Sequence, residues 1–115
     1  MHDMNKENFE YQFMDTIYIT AAGTLDSITS KPLEDAIMEK MKTASESLFI
    51  LDMQHVDFMN SLGLASIIRI WKKADAYGKT LKILTNPKIA DIFRISHLDT
   101  IIHLYIMEKV PYREK

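Results

Sequence analysis

The 115-residue sequence predicts an α/β fold, with helices packed on a mixed sheet of about five strands. Three observations carry this. Two apolar runs with the two-residue period of strands open the chain, and after them stretches of helical period alternate with short apolar stretches. Only three glycines and three prolines punctuate the whole, so the elements are joined by short loops. Strands that alternate with helices after an initial hairpin form parallel β-α-β units, whose right-handed crossovers stack the helices on the sheet.

Phe9, Tyr11 and Phe13 alternate with polar residues, and Ile17, Ile19 and Ala21 do the same after a break at Asp15-Thr16. These two runs are expected to form an antiparallel hairpin, closed by Gly23-Thr24-Leu25-Asp26. A helix begins near Ser30, which can cap it, with Pro32 in the first turn, where its missing N–H costs nothing. Leu33, Ala36, Ile37, Met41 and Ala44 make its inward stripe. Leu48-Phe49-Ile50-Leu51 is a continuous apolar run that suits a central strand ended by Asp52, with Met53 to Asn60 as a connection.

A second helix is expected over Ser61 to Tyr77, with Leu64, Ile67, Ile68, Trp71 and Ala74 inward and Gly78 as its C-terminal cap. Leu62, Ala65, Ser66, Arg69 and Lys73 lie on the opposite, outward face. Lys79 to Thr85 reads as a strand, Asn86-Pro87 starts a short helix reaching Ser96, and Ile101 to Ile106 gives the last strand. The expected core runs from about residue 9 to 106 in one domain spanning residues 1–115, with polar ends that fray.

Composition narrows the function. A net charge of -2 lacks the basic excess of a nucleic-acid binder. No apolar run approaches the roughly 20 residues needed to cross a bilayer, so no membrane insertion is expected. The absence of cysteine excludes a disulfide framework, a thiolate nucleophile and a cysteine-ligated metal, and fits a reducing cytoplasm. Neither a P-loop nor Gly-x-Gly-x-x-Gly is present, so no cofactor is expected. Asp52, His55 and Ser61 supply the letters of a hydrolase triad without a Gly-x-Ser-x-Gly elbow, and His97 and His103 show no metal-ligand spacing, so neither catalysis nor a metal site is expected.

The segment with most to say is Asp57-Phe58-Met59-Asn60-Ser61-Leu62-Gly63-Leu64, between a buried strand and a helix. Asn60 is a good N-cap, and Ser61 falls in the first turn, where free N–H groups and the positive dipole end favour an anion. On the residues alone, two readings stand: Asn60 and Ser61 simply cap a helix, or the turn receives a negative group.

Gly23-Thr24-Leu25-Asp26, Leu51-Asp52 and Phe58-Met59-Asn60-Ser61-Leu62-Gly63-Leu64 resemble the anti-sigma-factor antagonist (STAS) domains of bacteria. So do Tyr77-Gly78-Lys79, Leu81 to Pro87 and Leu98-Asp99, and the similarity runs from about Phe9 to Tyr105. The resemblance implies a STAS-like fold and a cytoplasmic, non-enzymatic partner-switching protein. Such a protein binds an anti-sigma factor with serine kinase activity, is released when phosphorylated, and is restored by a phosphatase. By motif position Ser61 is the phospho-acceptor and Asp26 an acidic neighbour, while Asn60 stands where the family's motif has aspartate and Leu62 where it often has serine or threonine. The partner-binding residues implied are Asp26, Asn60, Leu62, Gly63, Ser66, Arg69 and Lys73, on a monomer or weak dimer. The alternative is a cytoplasmic STAS regulatory subunit of a membrane transporter complex.

Overall fold

Strands and helices alternate from Thr16 onward. The structure is a computed structural model that describes residues 16–107. In chain order the elements are β1 (Thr16–Leu25), α1 (Ser30–Thr43), β2 (Leu48–Met59), α2 (Ser61–Ala76), β3 (Thr80–Thr85), α3 (Pro87–Ile95) and β4 (His103–Ile106). The strands lie in the order β1-β2-β3-β4, and every neighbouring pair is parallel. Right-handed crossovers between successive neighbours place all three helices on one face of the sheet.

The burial pattern agrees with that layering. Phe49, Leu51 and Met53 of β2 and Leu81 and Ile83 of β3 are buried with Ile37 and Met41 of α1, Ile67 and Ile70 of α2, and Ile89 and Phe93 of α3. Along β2 and β3 these residues alternate with more exposed neighbours, as one-sided cover of a strand requires.

The described sheet has four strands, all parallel; the fifth strand of the expected mixed sheet, the run Phe9–Phe13 with its antiparallel pairing, lies outside the described residues. The central strand does not stop at Asp52 but continues to Met59, placing His55 on a strand. Its register against β1 shifts between Thr20 and Ala22 and again between Gly23 and Thr24. These irregularities break the two-residue alternation after Met53, so Met53, Val56 and Met59 are the buried residues of the second half. Asn86 braces this irregular stretch: its Nδ2 donates to the carbonyls of Gln54 (2.9 Å) and Val56 (3.0 Å), while its Oδ1 accepts from Ile89 N–H at the start of α3.

The helix expected over residues 61–77 forms, turned slightly from its expected orientation. Its buried residues are Gly63, Ser66, Ile67, Ile70 and Ala74. Leu64 and Trp71 pack only partly against the core. The helix touches both the sheet and α1, so its covered arc is wider than one stripe and includes a serine.

Candidate functional site

The site sits at the carboxyl edge of the parallel sheet, where strand ends and helix starts converge. Leu25 and Met59 are the last register partners of β1 and β2, so the residues that follow them, Asp26 and Asn60, begin adjacent loops. The backbone N–H of Asn60 donates to the Leu25 carbonyl at 3.1 Å and ties the two loops together.

Asn60 has extended backbone angles and turns its side chain onto α2, where Oδ1 accepts from the N–H groups of Leu62 and Gly63, each at 3.0 Å. Its carbonyl accepts from Leu64 N–H at 2.9 Å. The cap expected from the sequence therefore forms, and it already occupies two of the amides an anion would use. Ser61, the first residue of α2, is exposed.

Gly63 is buried for a packing reason. A Cβ at this position would lie 2.5 Å from the Leu25 carbonyl oxygen and 3.0 Å from Leu25 Cβ. The glycine lets α2 start directly against the end of β1.

Asp26 holds the neighbouring turn. Its Oδ1 accepts from Ile28 N–H (2.9 Å), Thr29 N–H (3.1 Å) and Thr29 Oγ1 (3.1 Å). Thr29 Oγ1 also donates to the Thr24 carbonyl at 2.5 Å. The backbone bonds from Thr29 and then Ile28 hold the Asp26 carboxyl below the usual carboxylate range, so it carries its negative charge in neutral solution.

The remaining positions spread along α2. Leu62 is 53% exposed. Ser66 is buried rather than outward: its Oγ donates to Glu34 Oε1 of α1 at 3.0 Å. Arg69 clamps the same carboxylate, with Nε on Oε2 and Nη2 on Oε1, both at 2.9 Å. The guanidinium bonds, together with Ser66, hold Glu34 below its ordinary value despite its burial, and Glu34 in turn raises Arg69. Lys73 reaches over the Tyr77 ring, with its Nζ 5.8 Å from the centroid. It lies twelve residues beyond Ser61, about 18 Å along the axis. Asp26, Asn60, Ser61, Leu62 and Gly63 thus come together at one edge, Ser66 and Arg69 serve the α1–α2 contact, and Lys73 stands at the far end of the helix.

Two residues at this edge escaped the site as read from the sequence. Ile28 is 78% exposed in the Asp26 turn, and Phe58, opposite Thr24 at the end of β2, is 52% exposed. With Leu62 they are large exposed apolar residues in or next to the two loops. Their signal was present: large apolar residues flanking turn formers and outside any buried stripe.

Asp52 is buried, with Tyr18 Oη donating to its Oδ2 and Gln54 N–H and Nε2 donating to its Oδ1 at 3.0 Å. Burial pushes the Asp52 carboxyl up, but these bonds from Tyr18 and Gln54 outweigh it and leave the group below its ordinary value. Among the described residues no His, Asp and Glu cluster is suited to a metal. No described helix is long and apolar enough to cross a membrane.

The STAS domain family model matches residues 8–109. Among solved structures, the chain is similar to the anti-sigma factor antagonist SpoIIAA in its unphosphorylated form (TM-score 0.66, 18% identity, covering 86% of this chain and 84% of that one). It is similar to an anti-sigma factor antagonist from Mycobacterium paratuberculosis (TM-score 0.71, 21% identity, 81% and 79% covered). It is also similar to the STAS domain of a SulP transporter from Vibrio cholerae (TM-score 0.63, 12% identity, 88% of each chain covered).

Proposed function

The chain belongs to the STAS domain family, and from that premise we propose that it is an anti-sigma-factor antagonist in a bacterial partner switch. In its free form it binds an anti-sigma factor with serine kinase activity; phosphorylation of Ser61 releases it, and a phosphatase resets it. It acts in the cytoplasm as the substrate of the modification and not as its catalyst. The observation that carries the reading is the exposed Ser61 at the first residue of α2, in a loop tied by Asn60 N–H to the end of β1 that precedes Asp26, with Ile28, Phe58 and Leu62 exposed in or next to the same two loops. Exposed apolar side chains gathered beside polar loops mark a protein contact.

The chemistry of the switch follows from the cap. Asn60 already occupies the Leu62 and Gly63 amides, so a phosphoryl group on Ser61 gains little beyond the helix dipole, about 0.3–1 kcal/mol. Opposite a partner carboxylate at ~4 Å it meets a repulsion of about 4 kcal/mol per charge pair at an effective dielectric near 20. Repulsion at the interface outweighs any local gain, and release needs no refolding of this domain.

Intact-mass measurement after incubation with ATP and a candidate anti-sigma kinase tests the reading. The expected result is the gain of one phosphate, abolished in Ser61→Ala, with binding of the kinase weakened at least tenfold in Ser61→Asp. Absence of modification by every kinase that binds the domain would overturn it. The likeness to the SulP domain favours a second reading, a regulatory subunit of a transporter complex. Co-purification separates the two: an anti-sigma kinase supports the switch, and a membrane transporter supports the subunit.

A further inference from the structure

The strand order leaves the outer edge of β4 without a neighbour among the described residues. Met107 N–H donates to the Thr85 carbonyl at 2.7 Å. By alternation His103 and Tyr105 also turn their backbone groups toward β3, while Leu104 and Ile106 turn theirs to the open edge. Ile101 (49%), Tyr105 (42%), Ile106 (44%) and Met107 (43%) stand exposed around it. Unpaired N–H and C=O groups flanked by apolar side chains are a template for another strand.

We propose that this edge pairs with the same edge of a second copy of the chain, antiparallel, about a two-fold axis at Tyr105. Residues that face each other across an antiparallel pair share a side of the sheet, so the axis must pass through a residue position. With the axis at Tyr105, Leu104 lies opposite Ile106 of the second copy, and both such pairs exchange N–H···O bonds. An axis at Leu104 pairs that residue with itself and sets Ile106 against Ile102, which is buried and lies before the strand. An axis at Ile106 carries Leu104 beyond the described residues. The Tyr105 register is therefore the one that uses both outward-facing residues of β4.

The edge is complementary to itself. Leu104 meets Ile106, Tyr105 meets Tyr105 and His103 meets Met107, so no like charges are opposed. Lys82, the register partner of His103, is held over the Tyr105 ring at 5.7 Å, where its charge is drawn back onto its own copy. The four exposed side chains give on the order of 400 Å² per copy, about 800 Å² in all, below the 1,200–2,000 Å² of stable complexes. The dimer is accordingly weak and reversible. Because β4 runs in opposite directions across the axis, the two carboxyl edges, each with its Ser61, lie at opposite ends of the joined sheet and stay open.

The chain has no cysteine, so Tyr105→Cys carries a sole thiol. In the proposed register its Cα lies about 4.5 Å from its copy in a non-hydrogen-bonded pair, within disulfide reach. Under mild oxidation Tyr105→Cys is expected to form covalent dimer at least tenfold faster than Ser45→Cys, whose thiol stands in the exposed segment after α1. In sedimentation equilibrium the wild-type mass rises with concentration, and Ile106→Lys abolishes the rise. Equal cross-linking rates, or a wild-type monomer mass up to about 1 mM, would overturn the proposal, since that limit lies past any contact of functional strength. Faster cross-linking by Leu104→Cys than by Tyr105→Cys would overturn the register. Should Tyr105→Cys fail to fold, the sedimentation comparison of wild type with Ile106→Lys decides alone.

Discussion

The Leu25 carbonyl oxygen lies 2.5 Å from where a side chain at Gly63 would begin, and the same oxygen accepts the Asn60 N–H at 3.1 Å. One backbone atom at the end of β1 thereby fixes both the entry to α2 and the closeness of its first turn.

Gly63→Ala must therefore push α2 away from β1 or strain its first turn. The clash is with backbone, which cannot swing aside, so the expected cost is about 1–3 kcal/mol, despite the better helix propensity of alanine. Denaturant unfolding measures it, and a stability equal to wild type would contradict the geometry.

Asn60→Ala removes the acceptor for two amides and is expected to cost about 0.5–2 kcal/mol. Asn60→Asp keeps the acceptor and adds a charge at the favourable end of the dipole, so it is expected to unfold at or above the wild-type midpoint. Thermal melts of the two variants side by side check both.

Glu34→Gln disrupts the carboxylate shared by Ser66 and Arg69 and is expected to cost about 1–3 kcal/mol at neutral pH, since a buried acceptor set is left mismatched. Glu34 is held below its ordinary value of 4.5 in the folded chain. Its contribution is thus present in full above that value and is lost as pH falls through the lowered folded value. The gap between wild type and Glu34→Gln should narrow on acidification below about pH 4.5 and stay constant from pH 6 to 8. Urea midpoints across pH read this directly.

His97 follows α3 in the left-handed region, with φ of 61°. Its N–H donates to the Arg94 carbonyl and the Leu98 N–H to the Phe93 carbonyl, the closing pattern of a helix that usually ends in glycine. His97→Gly removes the steric cost of that conformation, about 1–2 kcal/mol, and gives back part of it through a more flexible unfolded chain. A net gain of roughly 0.5–1 kcal/mol in unfolding free energy is expected.

Local chemistry made the starts of α2 and α3 legible, but not that of α1, where Ser30 is the first helical residue and Thr29 stands at the N-cap without a side-chain cap bond. Asn60 and Asn86-Pro87 announce α2 and α3, and each asparagine accepts from the first-turn amides. The second half of β2 was not legible, because two register irregularities break its alternation and the cause lies in the pairing with β1. Nor was the inward position of Ser66, since it depends on a glutamate 32 residues away in α1. At the site, sequence position brought out Asp26, Asn60, Ser61 and Leu62; Ile28 and Phe58 carried a signal as apolar residues beside turn formers, but their exposure is a product of the fold.

The anchored start of α2 also dictates what the proposed phosphorylation of Ser61 would require. With Asn60 bound to Leu25 and Gly63 seated against it, the serine cannot be drawn out into an extended cleft as a loop residue is. A kinase for this hydroxyl needs a shallow, open mouth that fits over a folded corner. A synthetic peptide of the same residues, having no corner to offer, would be a poor substrate.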